Sequence, residues 1–500
     1  MSALKAIIEE IVAIDPAANA VEFLGQWHRW GELGAAIRAI DQALADAGLG
    51  PDARVGAVLR NCYEAAVAIV AIPCTDRCMV VLNPSLPDER LADDVARIAV
   101  PAIVAAPVDW AREPFRRAAL DSGALCLEVR SDPAAPVCVL QALEPGRAAR
   151  MRMRAPGDAL ELLTSGTTGP PKRIPLPVGN FETSMLGALG FESRRADQGR
   201  PQLRSGVQIL SMPFGHVAGL QAVIIAVLAG RQSCILERFS VPAIRDALVR
   251  HRPRVFTAPP AALRTLFDAN LPKEDLSSLA AVRTGTAALD PDFAEAFYER
   301  YGIPILQNYG ATEFPGVAGW TPEDFRNLHR VKRGSVGRLN TGIQARVVSQ
   351  DTGDPVPAGQ AGLLELRAAH IGDGRNWVRT SDLAVLDEDG FLWIRGRADA
   401  AIVRGGFKVH PEDVARAIEQ HPAVHEAVVV GLADARLGAV PAAAFTTRPG
   451  MASPTDAELT EFLRARLLAY QIPVRFAAIA DLPRNDTLKI SLVGVKALFE

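Results

Sequence analysis

Cysteine is scarce in this chain, with six residues in 500, at positions 62, 74, 78, 126, 138 and 234. Most sit inside apolar runs and read as reduced core side chains, which excludes a disulfide scaffold. Cys74 and Cys78 are close enough in sequence to suggest a metal pair, but no second pair of ligands follows them, so no metal centre is expected there. His421 and His425 have ligand-like spacing as well. Pro422 breaks any helix between them and no acidic third ligand appears, so both read as structural. Charge of one sign is also lacking: 54 Lys and Arg against 57 Asp and Glu leave a net −3. Without a basic run, neither a nucleic-acid partner nor an acidic membrane surface is indicated. The longest apolar stretch, residues 221–230, falls well short of the ~18 residues that span a bilayer. Glu9 and Glu10 interrupt the apolar residues near the start, so a signal-peptide core is not expected and the reading points to the cytoplasm.

What is present is enough apolar residue for a large core. Hydrophobic residues make up 49% and charged residues 22%, ordinary values for a globular protein. The length implies two or three domains. From Trp30, the apolar positions Ile37, Ile40, Leu44 and Ala45 recur at helical spacing until Gly48-Leu49-Gly50 stops the run. Strand-like segments at 54–59, 79–82 and 102–105 alternate with helical ones at 63–72 and after Pro84. Such alternation predicts an α/β fold with a parallel sheet covered on both faces. From Val336 to Leu366 the pattern changes to short β segments with Gly and Pro turns, which predicts a small barrel-like β subdomain.

One stretch carries chemistry. Apolar residues 160–163 end in Thr164-Ser165-Gly166-Thr167-Thr168-Gly169-Pro170-Pro171-Lys172. The glycines let backbone N–H groups approach an anion, the hydroxyls add donors and Lys172 adds a point charge, so this is a phosphate-holding loop. It lacks the GxxxxGK[ST] order of a P-loop, which disfavours that class of kinase or GTPase.

Ser165-Gly166-Thr167-Thr168-Gly169 with Lys172 resembles the signature loop of the adenylate-forming superfamily, which includes acyl- and aryl-CoA ligases, peptide-synthetase adenylation domains and beetle luciferases. The resemblance extends in family order from about Trp30 to Lys489. Ala281 to Leu289 resembles the loop that cups adenine and the acyl group, which implicates Thr284, Gly285, Thr286 and Ala287. Asn308-Tyr309-Gly310-Ala311-Thr312-Glu313 matches the Asn-Tyr-Gly-x-Thr-Glu element. It implies that Asn308 and Tyr309 hold adenine, Thr312 contacts the α-phosphate and Glu313 binds Mg²⁺. Arg379-Thr380-Ser381-Asp382 resembles Tyr-x-Thr-Gly-Asp and makes Asp382 a ribose ligand; serine replaces the usual glycine, and the wording is most like aryl-CoA ligases. Arg397 becomes a second ribose ligand, Asp399 a hinge, and Gly405-Gly406 the lining of a CoA channel. The final Pro483-Arg484 to Lys489 segment resembles Pro-Arg-Thr-x-x-Gly-Lys, with Leu488 in place of glycine and Lys489 as the catalytic lysine.

A lone histidine such as His216 ordinarily reads as a helix cap. In this family its place borders the acyl pocket, with Val217 beside it. No aspartate lies between Ser211 and Gly219, so a substrate ammonium would lack a counter-charge, which disfavours an α-amino acid.

The resemblance thus implies an N-terminal adenylation domain over 1–397, with its β subdomain at about 331–397, and a mobile α+β domain over 399–500. The implied activity is an AMP-forming acid:CoA ligase acting on an aromatic or medium-chain acid, with ATP, CoA and Mg²⁺. Alternatives sharing these motifs are a stand-alone enzyme loading a carrier protein, a luciferase-like oxygenase and an inactive nucleotide-binding paralogue. A homodimer is left open, and no nucleic acid or membrane span is expected.

Overall fold

The computed structural model describes residues 3–146, 151–164, 172–193, 201–311, 313–405, 407–485 and 488–500. By contact the chain divides into two units: residues 1–165, 171–306 and 311–315, and residues 166–170, 307–310 and 316–500.

The first unit is built on a seven-stranded sheet. From edge to edge its strands are Val137–Gln141, Leu125–Val129, Ala102–Ala105, Arg54–Val58, Cys78–Leu82, Asp158–Thr164 and Lys172–Pro177. The five inner strands run parallel and the two edge strands antiparallel. Every residue of Arg54–Val58, Cys78–Leu82 and Ala102–Ala105 is buried, which explains why these segments read as continuous apolar runs rather than alternating ones. The helix Trp30–Asp46 buries Leu33, Ile37, Ile40 and Leu44 on one face. The helix Tyr63–Ala71 is buried along its length apart from Glu64, as an all-round apolar helix must be.

A charged pair lies within this core. Arg54 Nε and Nη2 each donate to the Glu161 carboxylate at 2.7 Å, and Arg54 Nη1 donates to the carbonyls of Ile98 and Arg152 at 2.9 and 3.2 Å. Both residues are almost fully buried, and the shared hydrogen bonds are what make that burial tolerable. Five of the six cysteines, at 62, 74, 78, 126 and 234, have thiols whose pKa burial pushes upward, and all six are free. That agrees with their reading as reduced residues. A second sheet in this unit runs Arg204–Leu210, Arg231–Ile235, Asn19–Phe23, Gln26–Arg29. Val255–Thr257 pairs in parallel with Ala281–Thr284.

The second unit is mainly antiparallel. Starting from Asn308 and Tyr309, pairing passes through Ala318–Gly319, Gly337–Leu339, Phe391–Arg397, Val378–Leu386, Ala361–Arg367 and Gln344–Val348. A separate sheet follows, in the order Phe407–Val409, Ile402–Arg404, Gly438–Thr447, Val424–Asp434, with Arg475–Ala478 parallel to Gly438–Thr447. Its two faces are read by alternation. Val429, Ala443 and Phe445 pack with Val414, Ile418 and Leu459 of the helices Pro411–Glu419 and Asp456–Arg464, while Val428, Val430, Ala442 and Ala444 pack with Leu482, Val495 and Phe499. No helix among the described residues is long and apolar enough to cross a membrane.

Candidate active site

The phosphate-type loop is framed by two paired strands. Thr164 and Lys172 are directly opposed across the antiparallel pair Asp158–Thr164 and Lys172–Pro177, so the loop leaves and returns at adjacent positions. Ser165, Gly166, Thr167, Thr168 and Gly169 lie outside the described residues, as do Thr312 and Gly406.

His216 is the N-cap of the helix Val217–Leu228, although its side chain makes no capping hydrogen bond. The turn before it is held by Asn61, a residue the motifs did not single out. The Asn61 amide donates to the carbonyls of Met212 and Leu236 at 3.0 and 3.1 Å, and its oxygen accepts from Phe214 N–H at 2.9 Å. Phe214 is fully buried. Gly219 closes the turn because any Cβ there would lie 2.2 Å from the Pro213 carbonyl oxygen. A single buried asparagine with all three of these bonds satisfied fixes the segment more firmly than exposed pairs could. Its sequence signal was only a polar residue following an apolar strand.

Thr284 ends its strand buried, with its hydroxyl donating to the Ala258 carbonyl at 2.8 Å. Thr286 and Ala287 are exposed and Gly285 is half-buried. Thr286 has φ +70°, an uncommon conformation for a β-branched residue and one found where backbone geometry is set by function. Glu313 is exposed.

In the second unit the fold brings together residues from three separate motifs. The Tyr309 hydroxyl donates a short hydrogen bond to the Asp382 carboxylate. Burial, followed by the Asp382 charge, drives the Tyr309 pKa far above the ordinary phenol value, so the ring stays a neutral donor. Asp382 is set by Thr380, whose hydroxyl donates to the Leu364 carbonyl at 2.9 Å and accepts from Asp382 N–H at 3.1 Å. Arg397 stands directly across the ladder from Asp382. Arg397 Nε and Nη2 donate to the two Asp399 oxygens at 2.8 and 2.6 Å. Chiefly through these bonds, the Asp399 carboxyl is held below the usual aspartate range, with Ser381 as a further donor. Asn308 and Gly310 are exposed beside this cluster.

Gly405, at φ +57°, turns the hairpin between Ile402–Arg404 and Phe407–Val409 and donates its N–H to the Leu437 carbonyl at 2.8 Å. Phe407 stays 58% exposed while stacking on Tyr470. Lys489 is exposed in a separate turn. Its N–H donates to Asn485 Oδ1 at 3.0 Å, its carbonyl accepts from Asn485 N–H at 2.9 Å, and Arg484 Nη1 donates to the Leu488 carbonyl at 3.0 Å. Leu488 takes φ +62°, the left-handed conformation that glycine adopts without cost. The expected glycine position is thus conformationally real even though leucine fills it. His421, expected to be structural, accepts from Ala423 N–H at 3.3 Å and packs edge-on against Phe462.

Residues 8–374 match the AMP-binding enzyme family, and residues 413–489 match the AMP-binding enzyme C-terminal domain. A sulfoacetate–CoA ligase of Cupriavidus necator is 30% identical over 484 residues, covering 92% of this chain and 90% of that protein. A 4-coumarate–CoA ligase-like protein of Oryza sativa is 27% identical over 467 residues, covering 91% and 82%. Among solved structures, the ATP-bound MatB of Rhodopseudomonas palustris superposes with a TM-score of 0.81 at 24% identity, covering 99% of both chains. The α/β architecture with a smaller C-terminal part is the one shared with that structure. The chain belongs to the AMP-binding enzyme family.

Proposed function

We propose that this chain activates an aromatic or medium-chain carboxylic acid in two half-reactions on a site assembled from the motifs above. It is an ATP-dependent, AMP-forming acid–CoA ligase. The observation that carries the site assignment is the grouping of Tyr309, Asp382 and Arg397, three residues from separate motifs placed together by one hydrogen bond and one ladder position. Aspartate can accept from both hydroxyls of a ribose and Tyr309 offers a ring face for stacking, which is what a nucleoside requires.

A carboxylate is a poor acyl donor because its leaving group would be oxide. In the first half-reaction its oxygen attacks the α-phosphorus of ATP, an acyl–phosphate bond forms and pyrophosphate leaves. The residues 164–172 and Thr312 hold the phosphates, and Lys489 neutralises charge developing between carboxylate and α-phosphate, which is the main demand of phosphoryl transfer. Glu313, an exposed carboxylate, is a hard oxygen donor that fits Mg²⁺, whose chemistry when bound is further charge neutralisation. In the second half-reaction the CoA thiolate attacks the acyl carbon and AMP leaves. Rotation at Asp399, between an adenylation domain over 1–397 and a domain over 399–500, exchanges Lys489 for the Gly405-Gly406 loop.

The pocket assigned to the acid includes His216, Val217 and Thr284. The absence of an acidic residue between 211 and 219 supports an acid without an α-ammonium. A panel of benzoates, cinnamates and fatty acids, assayed for acid-dependent pyrophosphate release and for acyl-CoA with free CoA, tests this. Turnover with benzoates, cinnamates or medium-chain acids is expected. Turnover only with amino acids, or adenylation without acyl-CoA formation, would overturn it.

A further inference from the structure

The helix Asp88–Ile98 buries Leu91, Asp94, Val95 and Ile98 along one stripe. Three of these are apolar, as a core-facing stripe at helical spacing requires. The fourth is a carboxylate, and it is only 4% exposed. A charge in that place destabilises the fold unless it is paired, and its buried partner is Arg173. One Asp94 oxygen accepts from Arg173 Nη2 and the other from Arg97 Nη2. Arg97 is largely exposed on the same helix and so contributes little; the pair with Arg173 is what offsets the burial of Asp94.

Arg173 follows Lys172 in the chain. In the antiparallel pair that frames the phosphate-type loop it stands opposite Leu163, one step inside Thr164 and Lys172. From this edge strand its side chain reaches past the intervening strand Asp158–Thr164 to the strand Cys78–Leu82, where Nη1 donates to the Val81 carbonyl at 2.8 Å. The parallel pairing of those two strands runs through Met79–Leu160 and Val80–Glu161, so the bond takes up the next carbonyl, at the carboxyl ends of the strands. That is the end at which open α/β sheets bind ligands. The guanidinium thus joins the strand on which the loop returns, the end of Cys78–Leu82 and the helix Asp88–Ile98. Its Nε–H stays buried without a partner among the described residues, and a charged pair stands where apolar side chains would pack. Stability alone does not account for such an arrangement.

We propose that Arg173, held by Asp94, is a positioning residue for ATP: it fixes the strand Lys172–Pro177 where the loop returns, and so sets the place from which Lys172 meets the phosphates. The proposal rests on the reading of residues 164–172 as the phosphate-holding loop. ATP has three phosphates to be held and AMP one, so a displaced Lys172 weakens ATP far more than AMP.

The test measures binding of ATP and of AMP, each with Mg²⁺, to the full-length protein by calorimetry, with neither acid nor CoA present. Arg173→Met should weaken ATP by about tenfold or more and leave AMP within about twofold. Because that variant leaves Asp94 with Arg97 alone, a second one combines Arg173→Met with Asp94→Leu. It removes both buried charges, should melt close to the wild type and should show the same selective loss of ATP. Lys172→Ala checks the underlying reading separately: unchanged ATP affinity there would overturn the phosphate-holding loop and the proposal with it. If Lys172→Ala weakens ATP, yet the folded Arg173 variants bind ATP as tightly as the wild type or lose ATP and AMP alike, the positioning role is overturned and the loop reading stands.

Discussion

The turn before His216 and the turn before Lys489 are two solutions to placing one side chain. The first is locked: Asn61 spans three backbone groups, Phe214 is fully buried and Gly219 touches Pro213. In the second, Arg484 and Lys489 are exposed, Asn485 and Leu488 are half-buried, and the chain bends at that leucine in a left-handed conformation. A pocket wall gains from rigidity, because a loose wall loses both affinity and alignment. Under the proposed mechanism Lys489 arrives for one half-reaction and withdraws for the next, which a locked turn like that before His216 would oppose.

The largest effect expected from breaking this contrast lies beneath the rigid half. Glu161→Ala strands the buried Arg54 guanidinium, and should cost about 3–5 kcal/mol in denaturant unfolding. The sign of its pH dependence follows. Burial by itself raises the Glu161 pKa, but the hydrogen bonds and charge of Arg54 lower it further. Its stabilisation is thus present above the unfolded value near 4.5 and is lost as pH falls through the depressed folded value. Glu161→Gln should therefore flatten the acid limb of a stability profile below about pH 4.5.

In the second turn, Lys489→Ala should lower acid-dependent pyrophosphate release by about 10²–10³-fold with an unchanged melting curve; unchanged release would remove it from the proposed mechanism. Gly219→Ala should destabilise by about 1–3 kcal/mol and impair acid binding, because the added methyl displaces the Pro213 carbonyl. Leu488→Gly should stabilise by about 0.5–1 kcal/mol once the added freedom of the unfolded chain is counted. A melt showing destabilisation would mean that the leucine side chain packs rather than strains. The smallest effect is Asp399→Ala, since its pair with Arg397 is exposed and should contribute under about 1 kcal/mol. Any larger change should appear in the balance of the two half-reactions, measured as pyrophosphate release against acyl-CoA formation.

Period and punctuation alone determined much of this protein. The segments at 54–59, 79–82 and 102–105 read as strands alternating with helices, which pointed to a parallel sheet covered on both faces, the helix from Trp30 announced its buried stripe, and Gly48 its end. These are local properties, carried by spacing within a dozen residues. The motif residues were legible too, because Asn308-Tyr309 and Arg379 to Asp382 are contiguous words. What only the tertiary structure decided is who meets whom. That Asp382 faces Arg397, that Asn61 braces a turn 151 residues away, and that Glu22, Cys234 and His251 share one small volume all depend on ladder register and on which helix end lands on which strand. Such contacts are set by packing across long sequence separations, where no local pattern records them.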